Sequence, residues 1–145
     1  MTPDALRALL RDARVVAVVG LSPNPARPSH AVARYLRRVG YQIVPVNPFH
    51  PEILGARSYP SLTAAARDHA IDVVNVFRRS ELAAAVVDEA IALRPRLIWL
   101  QQGVFHAGAG ARAAAAGIPC VMDRCLAIDH ERLFVPANSS HLEPQ

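Results

Sequence analysis

The sequence predicts an α/β chain, a three-layer sandwich built on a five-stranded, mostly parallel sheet. Three observations predict it. Short apolar runs alternate with helical patterns along the chain. The runs lack strict in–out alternation, so both faces of each strand are apolar, the mark of a parallel sheet covered by helices. Polar and small residues gather just after each run, where open parallel sheets carry their ligands.

The N-terminal MTPDALRALLRDAR has Asp4 and Asp12 and no apolar h-region, so it reads as a short amphipathic helix rather than a signal peptide. Val15–Val19 is the first strand and ends at Gly20. Residues 29–39 form a helix, with Ser29 as N-cap, Gly40 as C-cap, and Val32, Leu36 and Val39 on one face. Residues 41–46 are the second strand, stopped by Asn47-Pro48, and a loop through Gly55 leads to a short helix over 62–69 capped by Ser61. Residues 72–77 are the third strand. Ser80 caps the next helix, which runs to Leu93 with Leu82, Val86, Val87 and Ala90 inward. Residues 96–100 are the fourth strand, 107–116 an alanine-rich helix ended by Gly117, 118–122 the fifth strand and 126–133 a last short helix. Right-handed βαβ crossovers join the five strands into one Rossmann-like sheet.

The chain has 145 residues and no internal repeat or linker, so residues 1–135 are expected to form a single domain with a polar tail over 136–145. The formal charge is +4 and every basic residue is an arginine. The arginines are scattered and no basic run is interleaved with aromatics, which argues against a nucleic-acid partner. An excess of guanidinium groups suits a small polyanionic ligand instead. No apolar stretch approaches the roughly 18 residues of a membrane helix, so a cytoplasmic location is expected. Cys120 and Cys125 lack C-x-x-C spacing. Cys120 reads as a buried strand residue; Cys125 lies just past a strand, where sites are built.

The most informative stretch is VVAVVGLSPNPARPSHAVARYL, a strand passing through a tight turn into a helix. That is how α/β folds present backbone amides to a phosphate. It is not the dinucleotide fingerprint: Gly20 is the turn's only glycine, and Pro23, Pro25 and Pro28 stand among the positions other glycines would occupy. Gly20 permits close backbone approach, Ser22 offers a hydroxyl, and Arg27 a guanidinium fork; Arg27 has the plainer reading of a solvated loop residue. After the second strand come Asn47 and Pro48, where an NAD site places an acid for the ribose hydroxyls. Without that acid a phosphorylated ribose is not repelled, a property NADP would share. Phe77, Arg78 and Arg79 follow the third strand; one arginine is expected to face the ligand and the other to be solvated or paired with Glu81. Gln101, Gln102 and Gly103 follow the fourth strand, and Asp123, Arg124 and Cys125 the fifth.

A catalytic set is hard to assemble. The histidines are dispersed, with no zinc spacing, no G-x-S-x-G elbow and no Walker lysine. A nucleophilic pair of Cys125 and His130 is conceivable, but Asp123 and Arg124 between the strand and the last helix read equally well as an ion pair.

Five segments in order, AVVGLSPNPARPSHAVARYL, YQIVPVNP with EILGARSYPSL, DVVNVFRRSE, IWLQQGV and VMDRCLAIDH, together resemble the small stand-alone CoA-binding proteins of bacteria. These are similar in fold to the CoA-binding domain of the succinyl-CoA synthetase α subunit. The resemblance runs from Val15 to Leu133. It implies coenzyme A, free or acylated, at the carboxyl edge of the sheet. Gly20, Ser22 and Arg27 would form the diphosphate loop, with Leu21 and Ser29 also among the cofactor-binding residues. Asn47 and Pro48 would line the adenosine side, Phe77, Arg78 and Arg79 would flank adenine and its phosphates, and Gln102 and Gly103 would lie near the cleft. No metal is implied, and no reaction. The expected function is therefore binding without catalysis; the alternative is a small NAD(P)- or acyl-CoA-dependent enzyme using Cys125.

Overall fold

Alternating apolar runs and amphipathic segments resolve into thirteen elements in the computed structural model, which describes residues 1–135. The first half of the chain forms α1 (Pro3–Asp12), β1 (Val15–Val19), α2 (Pro28–Arg38), β2 (Gln42–Val46), β3 (Glu52–Ile53), β4 (Ala56–Arg57) and α3 (Leu62–Ala66). The second half forms β5 (Val73–Val76), α4 (Ser80–Leu93), β6 (Leu97–Leu100), α5 (Ala107–Ala115), β7 (Cys120–Val121) and α6 (Leu126–Phe134). The predicted polar tail over 136–145 lies outside the described residues.

Five strands pair in the order β2-β1-β5-β6-β7, every pair parallel. The chain steps from β1 out to β2, then returns past β1 to add β5, β6 and β7 on the other side. The order therefore reverses between β1 and β5, and sheets of this kind open a crevice at the carboxyl ends of the strands flanking that reversal.

Strand side chains alternate between faces. Val16, Val18, Val73, Leu97 and Trp99 pack beneath α1, α2 and α6 with Leu10, Leu36 and Leu126. Ala17, Val19, Val74, Val76, Ile98 and Leu100 pack against α3, α4 and α5 with Leu62, Val87 and Ala113. Two apolar cores on either side of one sheet make the three-layer sandwich.

Local chemistry sets most element ends. Thr2 caps α1 by accepting from the Ala5 N–H, and Ser61 caps α3 by accepting from Ala64. Helix α2 closes with Val39 at its cap and Gly40 one position beyond, at φ +113°. There the Tyr41 N–H reaches the Leu36 carbonyl and the Gly40 N–H that of Arg37, a Schellman closure that favours glycine.

Several expectations are corrected. Ser29 is not the cap of α2: Pro28 occupies the first helical position, which its missing N–H suits, and Arg27 becomes the cap. Ser80 does not cap α4 either, since Arg79 takes that position and the Ser80 hydroxyl turns to the loop after β6. Leu82 is exposed, and Ala83 faces the core in its place. The short helix α3 ends at Ala66 rather than reaching residue 69. The last strand is only Cys120–Val121, and Cys120 is half-buried rather than buried. The loop through Gly55 holds a small antiparallel hairpin, β3 against β4.

Candidate functional site

Where the strand order reverses, the backbone after β1 runs against the end of β5. The Phe77 N–H donates to the Val19 carbonyl at 2.8 Å. A Cβ built on Gly20 would lie 2.2 Å from the Phe77 carbonyl oxygen, and Gly20 itself has φ +84°. The glycine thus serves close approach of two strand ends, a constraint of the fold rather than only of a ligand.

Beyond Gly20 the loop is held by its own side chains. The Ser22 N–H donates to Ser29 Oγ at 3.0 Å, the Asn24 N–H to Ser22 Oγ, and the Ala26 N–H to Asn24 Oδ1. His30 Nδ1 lies 3.0 Å from the Ser22 carbonyl. Buried Ser29 therefore ties the loop to the first turn of α2. At that turn the Ser29 N–H finds no acceptor among the described residues, so it remains available to an anion at the positive end of the helix.

A cleft of about 650 Å³ opens over this turn. One side is formed by Gly20, Ser22, Arg27, Pro28, Ser29 and Val32, the other by Phe77, Arg78, Gln101, Gln102, Val104 and Cys125. Arg27 and Arg78 both line the cleft, and neither has a carboxylate partner among the described residues. Neighbouring Arg79 is turned away, its Nε 3.6 Å from a Glu81 carboxylate oxygen.

Of the residues singled out from the sequence, Gly20, Ser22, Arg27, Ser29, Phe77, Arg78 and Gln102 lie on this cleft. Leu21, Asn47, Pro48, Arg79 and Gly103 do not line it. The Leu21 side chain is fully buried, and its carbonyl accepts from Asn47 Nδ2 at 2.9 Å. Asn47 Oδ1 accepts from the Phe49 N–H, so this side chain fastens the end of β2 to the loop after β1. Pro48 is exposed beside it. The Gly103 N–H donates to Asp123 Oδ1 at 2.7 Å, joining the ends of β6 and β7. The Asp123–Arg124 ion pair, one of the two readings of this stretch, does not form among the described residues. Arg124 instead makes a two-pronged contact with Asp129, whose Oδ1 lies 3.0 Å from Nη2. Nor do Cys125 and His130 form a pair: His130 is buried with Nδ1 2.7 Å from the Tyr35 hydroxyl.

Sequence reasoning placed Gln101 at the end of the fourth strand without giving it a role, and it missed Asn75. Gln101 is 5 % exposed and lines the cleft. Its Oε1 accepts from Asn75 Nδ2 at 3.2 Å and from the Leu126 N–H at 3.3 Å, so the start of α6 is pinned to the end of β6. Asn75 is completely buried in β5, a polar residue inside an apolar run, and that was the available signal.

Among the described residues no group of three or more His, Cys, Asp and Glu side chains is placed to hold a metal ion, and no helix is long and apolar enough to cross a membrane. A phosphate-bearing ligand is what the cleft suits chemically: two arginines and a helix-terminal N–H with no partner among the described residues, hydroxyls, and an apolar wall of Phe77, Val32 and Val104.

Comparison with known proteins agrees. Residues 14–131 match the family described as CoA binding domain. The chain is 38% identical over 125 residues to the Bacillus subtilis protein YneT, spanning 86% of this chain and 91% of YneT. The solved Thermus thermophilus protein cell-free ID.343 is 42% identical, with a TM-score of 0.87 over 92% of this chain and 100% of that one. A hypothetical protein from Pyrococcus horikoshii OT3 is 34% identical, also with a TM-score of 0.87, covering 92% of each chain. A family match across nearly the whole sheet, with two close structural relatives, fixes the affiliation: the chain belongs to the CoA binding domain family.

Proposed function

We propose that the protein holds coenzyme A, free or acylated, in the cleft at the carboxyl edge of the sheet and does not itself convert it. The observation that carries this reading is the convergence of Arg27, Arg78 and the free Ser29 N–H on one opening at the reversal of strand order. A diphosphate set there meets the α2 dipole and two bidentate donors. The adenosine side extends toward Asn47 and Pro48 at the end of β2, where no acid stands to repel a phosphorylated ribose. Phe77 offers a ring face to the base or the arm of the ligand.

Binding without conversion is favoured by the surroundings of Cys125. No imidazole or carboxylate is hydrogen-bonded to it among the described residues, so acyl transfer lacks a positioned base. A cytoplasmic protein with no nucleic-acid partner goes with this reading. Native mass spectrometry of freshly purified protein tests it. Coenzyme A or an acyl derivative is expected to accompany the chain; a copurifying dinucleotide in its place contradicts the proposal.

A further inference from the structure

Asn75 is the one polar side chain of β5, an interior strand whose other members are valines. It is fully buried, in register with Val18 of β1 and Trp99 of β6. Its Nδ2 donates to Gln101 Oε1 at 3.2 Å and approaches the Trp99 carbonyl at 3.5 Å. Its Oδ1 has no hydrogen-bond partner among the described residues. Turning the amide over gives no relief, because Oδ1 would then face two acceptors, the Trp99 carbonyl and Gln101 Oε1. Gln101 cannot turn to compensate, since the Leu126 N–H also donates to that oxygen. A buried acceptor left unmatched costs stability, and a valine in this place would complete an apolar core strand without that cost. What Asn75 adds is its grip on Gln101.

Gln101 is where that grip reaches the ligand site. It lines the cleft with Phe77 and Val104, and Phe77 follows Asn75 on the same face of the sheet. Asn75 therefore lies just beneath the cleft floor, and being fully buried it works through Gln101 rather than by touching a ligand. We propose that Gln101 recognises an amide carbonyl in the arm of coenzyme A, and that Asn75 is the positioning residue that holds the Gln101 carboxamide for it. The proposal rests on the coenzyme A reading above.

The arm is a chain of methylene groups interrupted by amides. Arg27 and Arg78 suit the phosphates, whereas Phe77, Val104 and Gln101 make an uncharged stretch of lining, an apolar wall beside a carboxamide. A carboxamide free to rotate presents either its oxygen or its NH2 group to a ligand amide, and one of the two sets acceptor against acceptor. Gln101 Oε1 is held twice, by Asn75 Nδ2 and by the Leu126 N–H, so the NH2 end is the one left to meet a ligand carbonyl. The unmatched Asn75 Oδ1 is stability given up to fix that choice before the ligand arrives.

The test is isothermal titration of the full chain with coenzyme A and, separately, with adenosine 3′-phosphate 5′-diphosphate, which is coenzyme A without its arm. Thermal melts accompany each variant. Asn75→Val and Asn75→Ser should each weaken coenzyme A binding about fivefold, the scale of one net hydrogen bond, and leave binding of the armless nucleotide unchanged. Gln101→Leu should do the same, and adding either Asn75 replacement to it should weaken binding no further, because Asn75 acts only through Gln101. Equal weakening of both ligands, no weakening of either, or a further loss in the double variant overturns the proposal. Failure of both Asn75 variants to fold makes Asn75 a residue of the fold and overturns its assignment as well. If the parent binds neither ligand, the function proposed above falls, and this site with it.

Discussion

Gly20 and Phe77 meet where the sheet reverses its order, and their contact leaves no room for a methyl group. Gly20→Ala combines a positive φ with a Cβ 2.2 Å from a backbone oxygen, so it is expected to destabilise the fold by more than about 1 kcal/mol. Urea denaturation checks this as a lower midpoint with an unchanged slope. Arg27 and Arg78 behave in the opposite way, because their side chains serve the cleft and not the core. A charge-assisted hydrogen bond contributes about 1.5–3 kcal/mol, so Arg27→Ala or Arg78→Ala should each weaken coenzyme A binding about tenfold or more. Melting temperatures should stay close to that of the parent, as expected of exposed or half-exposed positions. Isothermal titration beside thermal melts separates the two effects. The cleft residues visible in the sequence were those that are polar and immediately follow an apolar run, such as Ser22, Arg78 and Gln102. Gln101 was visible as a strand-end residue but not as the inward member of its pair. In the pair Gln101-Gln102, the inward member is set by strand parity, with Gln101 on the same face as Trp99, and parity at a strand end is fixed only by pairing with β5.

Helix α6 shows how an element can be right in outline and wrong in its attachments. Its span was legible from apolar spacing, yet Arg124–Asp129 and His130–Tyr35 are contacts between side chains whose partners the sequence does not announce. His130 sits against Tyr35 of α2 and Tyr41 ahead of β2, edge-on to both, and is stacked on Phe134 with ring centroids 4.5 Å apart. Burial holds its pKa below the ordinary value of 6.5, with Glu131 partly opposing that shift. The folded state therefore binds the proton less readily than the unfolded chain. The resulting stability is whole above pH 6.5 and is lost as pH falls toward the depressed folded value. Thermal melts should be level near pH 7.5 and decline below about 6.5, and His130→Gln should flatten that decline. An undiminished decline in the variant would assign the effect to other groups. Ser29 and Ser80 teach a related lesson. A serine before an apolar helical pattern reads as a cap, but Pro28 claimed the first turn of α2, and a loop N–H captured the Ser80 hydroxyl.

At the scale of the molecule, the parallel sheet and its covering helices were legible because apolar runs without alternation leave little else to build. The β3–β4 hairpin was not. Its turn places Leu54 at φ 55° and Gly55 at φ 72°, and a leucine in that position carries none of the Asn-Gly signal by which such turns are read. The reversal of strand order was implied by the βαβ sequence, and it gathers the ends of β1, β5 and β6, with Cys125 ahead of α6, around one cleft. Everything proposed for this protein depends on that cleft receiving coenzyme A. Isothermal titration with coenzyme A, dephospho-coenzyme A, NADP and NAD is the most direct measurement. Coenzyme A is expected to bind saturably at one site per chain, dephospho-coenzyme A more weakly, and neither dinucleotide comparably; tight binding of NADP or NAD with no heat from coenzyme A would show that the cleft is not a coenzyme A site.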